Sequence, residues 1–486
     1  MTWGFYGRTE ELRRVNGILT RNRWFFAKMT GRRRIGKTTL IQRAIQASDA
    51  RHVYYVQIPD SGPAGVLSAV RDALESFGVP AEKFPRPRTL AEFAALINSL
   101  ARAGYVVILD EFQYFIRSQL AAFCSYLQAQ VDTLSAEADQ VVGGLIVLGS
   151  IHTEMTALLE DRSAPLYSRT TDEIALSHLD IGSILEILRE HADTEPNRLL
   201  FLWTLFEGVP KFYRDCYEQG VLGVGRQDLL RKIFFESSSP LRTEADNWFL
   251  RELRGRYDVV LKFVARHGGS MHNELVAQIQ EISRESSEQV SGYLKVLVER
   301  YGLIEKKLPI FAPSRARKTR YYLADNFLKA WLAALANPVA ALNFRPVEVL
   351  VARADKLLFD VEGKGFEKLV ANLYEERSRK GLPGFNLTQR IEGYWDKGGT
   401  EIDLIALNDA ESIIRFGSCK RAADKLVADL PVFDAHVRRF LEVFPRFEKW
   451  SIERVSIAPV VPAHVKGEIK GRGRIVQDLD DLTADL

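Results

Sequence analysis

The stretch Gly31-Arg32-Arg33-Arg34-Ile35-Gly36-Lys37-Thr38-Thr39 constrains this chain more than any other. It follows the apolar run WFFAKMT at 24–30, which reads as a strand, and leads into a helical pattern reaching about Ala47. The spacing GxxxxGK[ST] between a strand and a helix describes a loop that wraps phosphate. Its glycines let the backbone curl until successive N–H groups point at one anion. The helix beginning near Lys37 adds the positive end of its dipole. Lys37 then supplies charge to the β- and γ-phosphates, and the Thr38 hydroxyl suits Mg2+. Arg32, Arg33, Arg34, Ile35 and Thr39 complete the nucleotide-lining loop without separate roles. The competing reading is a Gly-Lys-Thr turn in a surface loop, which leaves the strand before it and the acidic strand after it unexplained.

That acidic strand is Tyr105-Val106-Val107-Ile108-Leu109-Asp110-Glu111, an apolar run ending in two carboxylates. It looks like a Walker B strand, with Asp110 in the Mg2+ shell and Glu111 orienting or deprotonating the attacking water. Read alone, it is equally a buried strand ending in a solvated turn. Further strands read at 52–58 and 144–149, with helices at about 64–77, 89–103 and 117–135. Short apolar runs alternating with helical patterns predict an α/β fold with a parallel sheet.

With 486 residues, roughly three domains are expected. Helical patterns dominate 180–250. Helices at about 256–267, 271–281 and 286–300 precede candidate wing strands at 302–307 and 319–324, an order that resembles a winged helix. Pro338 and Pro346 read as marking a connector. From 356 the pattern is α/β again, with a helix at 361–378, strands near 387–394, 400–407 and 411–418, a helix at about 422–444 and a final strand candidate at 452–461.

Phe5-Tyr6-Gly7-Arg8-Thr9-Glu10-Glu11-Leu12 resembles an FxGRxxEL opening motif. Together with GRRRIGKT, ILDEFQ, Gly149-Ser150 and Pro165-Leu166-Tyr167-Ser168-Arg169, it resembles the archaeal-type ATPase family in the STAND branch of AAA+-related P-loop NTPases. The resemblance implies ATP or ADP with Mg2+, and a nucleotide base near Gly7 and Arg8. It implies that Ser150 reads the γ-phosphate and that Arg169 compensates transition-state charge, in cis or across a homo-oligomer boundary. Gly208-Val209-Pro210 resembles the GxP motif of a helical lid, with Pro210 at the nucleotide. Two alternatives stay open: Arg169 as a surface arginine, and Gly208-Val209-Pro210 as a helix terminator. The organisation expected is an ATPase core at 1–175, a helical lid at 176–250, a winged helix at 251–335, a linker at 336–355 and a nuclease-like domain at 356–486.

The candidate recognition helix SSEQVSGYLKVLVERYG is not strongly basic, whereas the wing loop holds Arg315, Arg317, Lys318 and Arg320. Such a cluster suits phosphates of double-stranded DNA, although a winged helix serving as a spacer fits equally. In the C-terminal segment, Glu401 and Asp403 share one face of a strand, and Lys420 ends the next. With Glu367 on the preceding helix, this resembles the PD-(D/E)xK nuclease core, where carboxylates bind Mg2+ and a lysine positions water. An acid is expected two residues before the lysine, but Ser418 stands there, and a hydroxyl is a poorer ligand for a hard cation. Glu401 or Glu367 is the available substitute. The resemblance thus leaves an inactive nuclease-like binding domain ahead of an active nuclease.

Composition bounds the remaining choices. Lys and Arg total 66 against 63 for Asp and Glu, a net charge of +3 that excludes a polycation while permitting local basic patches. Cys124, Cys216 and Cys419 are too dispersed for a zinc or disulfide framework, which points to a reducing compartment. Arg8, Glu10, Glu11, Arg13 and Arg14 are not those of a secretory leader, and no apolar run reaches the ~18 residues that span a bilayer. A cytoplasmic protein without a membrane partner is expected. The leading function is an ATP-hydrolysing switch near DNA. The alternatives are an ATP-regulated, metal-dependent DNA nuclease and a scaffold that holds nucleotide without turnover.

Overall fold

The computed structural model describes residues 2–47, 52–150, 152–245, 257–283, 285–313, 315–316 and 318–486. The expected helix start at 256, the lid residues 246–250 and the wing residue Arg317 lie outside them. The chain divides into two units. One comprises Gly7–His178 and Val209–Lys211, and the other Met1–Tyr6, Leu179–Gly208 and Phe212–Leu486.

The first unit is built on five parallel strands: β1 (Phe25–Gly31), β2 (Val53–Gln57), β3 (Val106–Asp110), β4 (Gly144–Gly149) and β5 (Asp172–Leu176), in the order β2-β3-β4-β1-β5. Every residue of β3 and of β4 is buried, as continuous apolar runs covered on both faces must be. Trp24, Phe26, Phe93, Phe112, Phe115 and Phe123 belong to the core on one side of the sheet. Because β4 separates β1 from β3, the phosphate loop, Asp110 and Ser150 all emerge at the carboxyl ends of neighbouring strands. Open α/β sheets bind ligands at that edge. Strand β5 was not expected from the sequence, and the helix expected over 117–135 runs from Ala122 to Ala136, after a 3-10 turn at Phe112–Ile116.

In the second unit, helices Ile181–His191 and Pro196–Phe206 are followed by Asp258–Arg266, His272–Ser283 and Ser287–Glu299. Ser286 and Gln289 form a reciprocal cap at the start of the last of these. An antiparallel sheet completes the winged-helix order, with β6 (Ser270–Met271), β7 (Ile304–Lys307) and β8 (Arg320–Leu323) arranged β6-β8-β7.

The C-terminal part carries β9 (Glu392–Trp395), β10 (Glu401–Asn408), β11 (Ile413–Cys419), β12 (Ser451–Ile457) and β13 (Ile475–Gln477). The β9-β10-β11 meander is antiparallel, and β12 and β13 extend it in parallel. Two expectations change here. The helix expected at 361–378 begins at Val347 and ends at Arg379, so much of the supposed linker is helical. The wing loop, read as a basic cluster for DNA phosphates or as part of a spacer, is fastened to the C-terminal sheet. Ile310 N donates to Gly393 O at 2.9 Å, Trp395 Nε1 donates to Lys318 O at 2.8 Å, and Phe311 packs among Phe440, Phe444 and Phe447. Among the described residues no helix is long and apolar enough to cross a membrane.

Candidate functional site

At the end of β1 the backbone takes conformations that glycine adopts at little cost. Gly31 has φ +149° and lies so close to Leu176 that a Cβ would meet its carbonyl oxygen at 2.7 Å, and Gly36 has φ +96°. The helix Lys37–Ala47 starts directly after this curl. Three non-glycine residues with positive φ, Arg8, Arg34 and Glu111, belong to the same region, where stored backbone strain commonly accompanies function.

Lys37 is buried, and its Nζ donates to the carbonyl oxygens of Gly31 and Arg32 at 2.9 and 3.2 Å. Burial pushes its pKa down to about 8, against the pull of Glu111 and Asp110. The Thr38 hydroxyl donates to Asp110 Oδ2 at 2.8 Å, so the phosphate loop and the acidic strand end meet. Tyr55, one strand away on β2, donates to the same oxygen at 2.9 Å, and Glu111 N donates to Asp110 Oδ1 at 2.8 Å. A carboxylate and a hydroxyl in contact are the oxygen donors that Mg2+ accepts beside water and phosphate, so Thr38 and Asp110 fit that ion.

Glu111 is held by its own group of donors. Gln113 Nε2 donates to Glu111 Oε2, and the Ser150 hydroxyl donates to the same oxygen at 3.1 Å. Gln113 also joins Ser150 directly, through Nε2 to Oγ at 3.3 Å. Gln113 and Tyr55 were not singled out from the sequence. Gln113 stands within the quoted ILDEFQ, but nothing in residue order marks Tyr55.

Arg8 is buried, and its guanidinium donates to Ile35 O at 3.3 Å and Ser177 O at 2.5 Å. It therefore braces the phosphate loop from the Gly7–Arg8 turn. Pro210 lies against the loop from another side, 3.8 Å from where a Gly36 Cβ would sit. Arg33 and Thr39 are exposed. Arg169 is turned to a different partner: Nε and Nη2 grip Asp132 at 2.6 and 3.0 Å. Its hydrogen bonds go to Asp132 and to Tyr167 O, and none joins it to the phosphate loop among the described residues.

In the other unit, Asp403 on β10 accepts from Cys419 N at 2.8 Å and lies 4.0 Å from Lys420 Nζ. Burial raises the Asp403 pKa against the pull of Lys420. Burial likewise raises Glu367, with Asp403 adding to the shift, while Lys364 bonds it at 3.0 Å. Glu401 is tied instead to Arg320, at 2.8 and 3.3 Å. Asp429, from the helix Asp424–Val443, occupies the surroundings of the anomalous serine. Ser418 Oγ donates to its Oδ2 at 2.6 Å, and Lys420 Nζ lies 3.1 Å from its Oδ1. Sequence spacing missed this acid because it comes from the next helix rather than from the strand. Among the described residues no three His, Cys, Asp or Glu side chains are grouped to hold a metal ion.

Residues 5–211 match a family described as an ATPase domain predominantly from Archaea, and residues 331–428 match a family of archaeal and bacterial proteins of unknown function. An uncharacterized protein of Methanocaldococcus jannaschii is 26% identical over 428 residues, covering 86% of this chain and 87% of that protein. The Walker-type ATPase of Pyrococcus abyssi superposes with a TM-score of 0.51 at 17% identity, covering 68% of this chain and 96% of its own, a likeness of fold. The ORC2 protein of Aeropyrum pernix gives a TM-score of 0.44 at 16% identity, covering 72% and 93%.

Proposed function

We propose that this chain, whose residues 5–211 match an archaeal-type ATPase domain, binds and hydrolyses ATP and uses the nucleotide state to control its second unit. The observation that carries this reading is the 2.8 Å hydrogen bond from Thr38 to Asp110, which unites the phosphate loop with the acidic strand end. In this reading Lys37 leaves the loop carbonyls for the β- and γ-phosphates, and the N–H groups from Gly31 to Thr38 wrap them. Thr38 and Asp110 would hold Mg2+, which would supply positive charge to offset the negative charge developing on the phosphates. Glu111 accepts the proton of the attacking water, while Ser150 and Gln113 fix its orientation. Arg169 contributes to transition-state charge only after leaving Asp132.

Coupling to the second unit is assigned to Pro210, which touches the loop in a short segment between stretches of the other unit. The second unit is proposed to act at DNA, as a winged helix joined to a nuclease-like binding domain. The reading as an ATP-regulated nuclease has one observation in its favour: Asp429 brings a carboxylate to Ser418 and Lys420.

The test is ATP turnover by the full chain with and without duplex DNA, with the DNA then run on a gel. Turnover with intact DNA is the expected result. Metal-dependent cleavage abolished by Asp403→Ala would replace it with the nuclease reading. Tightly held nucleotide without turnover would make the chain a scaffold.

A further inference from the structure

The second unit holds its own group of cations, where the winged-helix ladder meets the long helix. In the β7–β8 ladder Lys307 lies opposite Arg320, and Glu305 opposite Tyr322. Alternate residues share a face, so these side chains form one polar surface, with the Lys307 ammonium 5.3 Å from the Tyr322 ring centre. Lys364 and Lys368 stand one turn apart on the helix Val347–Arg379. Lys368 Nζ donates to Ala324 O and Asn326 Oδ1, both at 3.3 Å, and lies 2.8 Å from Glu207. That fastens the long helix to the start of the helix Asn326–Ala330, which carries Lys329 one turn further on.

These lysines differ in how they are satisfied. Lys307 has Glu305 at 3.7 Å, Lys364 has Glu367 at 3.0 Å and Glu401 at 3.8 Å, and Lys368 has Glu207. Lys329 has no side-chain hydrogen bond or ion pair among the described residues. The charges acting on it are Glu367 and three like charges, Lys368, Lys364 and Lys307, and burial is the main reason its pKa falls to about 8. A partly buried ammonium among other ammonium groups is destabilising unless an anion joins it.

We propose that Lys329, with Lys307 and Lys364, forms a phosphate-binding site that holds the backbone of a nucleic-acid strand beside the Asp403–Lys420 cluster. Phosphate suits this geometry because its oxygens point in several directions. Each can accept from an ammonium group on a different element, and lysine serves it as a point charge. Nucleic acid is preferred as the source because the winged-helix ladder supplies one wall and the Asp403–Lys420 cluster adjoins it. The proposal rests on the nucleic-acid reading of the second unit and is independent of ATP hydrolysis.

The test measures binding of a short fluorescein-labelled duplex DNA to the full chain, without nucleotide, over a series of salt concentrations. Lys329→Gln should weaken binding several-fold and lower the slope of log Kd against log salt by about one, as expected for one lost phosphate contact. Lys329→Arg should restore most of both. Lys307→Gln, at an exposed position, should lower the slope similarly and carries the comparison if Lys329→Gln does not fold. Equal affinity and slope in the wild type and these variants would overturn the proposal. A wild type that ignores DNA, yet is thermally stabilised by inorganic phosphate through Lys329, would overturn the nucleic-acid assignment and leave a free-phosphate site. ATP binding, measured separately by calorimetry on the wild type, reports on the phosphate-loop reading, so the two fail independently.

Discussion

The Ser150 hydroxyl donates to Glu111 Oε2 across 3.1 Å, joining the tip of β4 to the residue that follows β3. In the proposed reading, the side chain that senses the γ-phosphate is thereby bonded to the one that activates water. Glu111→Gln should still bind ATP while turnover falls roughly 10²–10⁴-fold, the loss expected of a missing general base. Ser150→Ala should lose less, about 10–100-fold, because it removes one hydrogen bond to a charged group while Gln113 still holds Glu111. Steady-state turnover of the two variants decides the order. A larger loss in Ser150→Ala would make the serine the principal group.

Lys37 should be a liability without nucleotide. Burial lowers its pKa from 10.5 to about 8. The unfolded chain therefore holds the proton more tightly, and stability rises with pH between about 8 and 10.5. Below that window the full penalty applies, at about 1.4 kcal/mol per pKa unit before lost hydrogen bonds are counted. Lys37→Met should consequently be at least as stable as the wild type near neutrality, with the advantage shrinking as pH rises through the window, although it binds no ATP. Chemical denaturation across pH checks the stability. Undiminished ATP binding in calorimetry would remove Lys37 from the site.

Arg169 gives a sharper contrast. It forms a two-pronged pair with Asp132, and both side chains are partly exposed. Pairs of this kind contribute roughly 0–1 kcal/mol, so Arg169→Ala and Asp132→Ala should each barely change thermal stability. If Arg169 must leave Asp132 to reach the transition state, Asp132→Ala should preserve turnover, whereas Arg169→Ala should lower it by up to the 10³-fold or more seen for arginine fingers. Equal, small effects on turnover would restrict Arg169 to bracing its loop.

What the sequence made legible was local. The phosphate loop, β1 and β3 are encoded by consecutive residues, and burial on both faces of a parallel strand leaves a plain apolar run. The pairing of Arg169 with Asp132 and the approach of Asp429 to Ser418 depend on tertiary contacts that no spacing rule records. The prolines misled for a physical reason: Pro346 immediately precedes the long helix rather than ending one, a position where its missing N–H costs nothing. In the wing loop, the run from Arg315 to Arg320 drew attention to charge. Ile310 and Phe311, a few residues earlier, tie the same loop to the C-terminal hydrophobic cluster.

Asp403 and Glu367 should make stability depend on pH in the opposite sense to Lys37. Burial raises both pKa values, and the nearby Asp403 carboxylate adds to the rise at Glu367. Their folded forms hold protons more tightly than the unfolded chain does. This contribution to stability is therefore present below the unfolded carboxylate range and is lost as pH rises through the folded values. Asp403→Asn removes the charge and keeps a carbonyl oxygen for the Cys419 N–H, which now bonds Asp403 at 2.8 Å. It should stabilise the protein at about pH 8 and have little effect at about pH 4. Added Mg2+ should leave the difference at about pH 8 in place, because Ser418, already donating to Asp429, offers a hydroxyl where a hard cation gains most from a carboxylate. Thermal melts of both proteins at the two pH values, with and without Mg2+, provide the measurement. A rise in the wild-type melting temperature with Mg2+ that Asp403→Asn lacks would make this cluster a metal site and bring the nuclease reading forward.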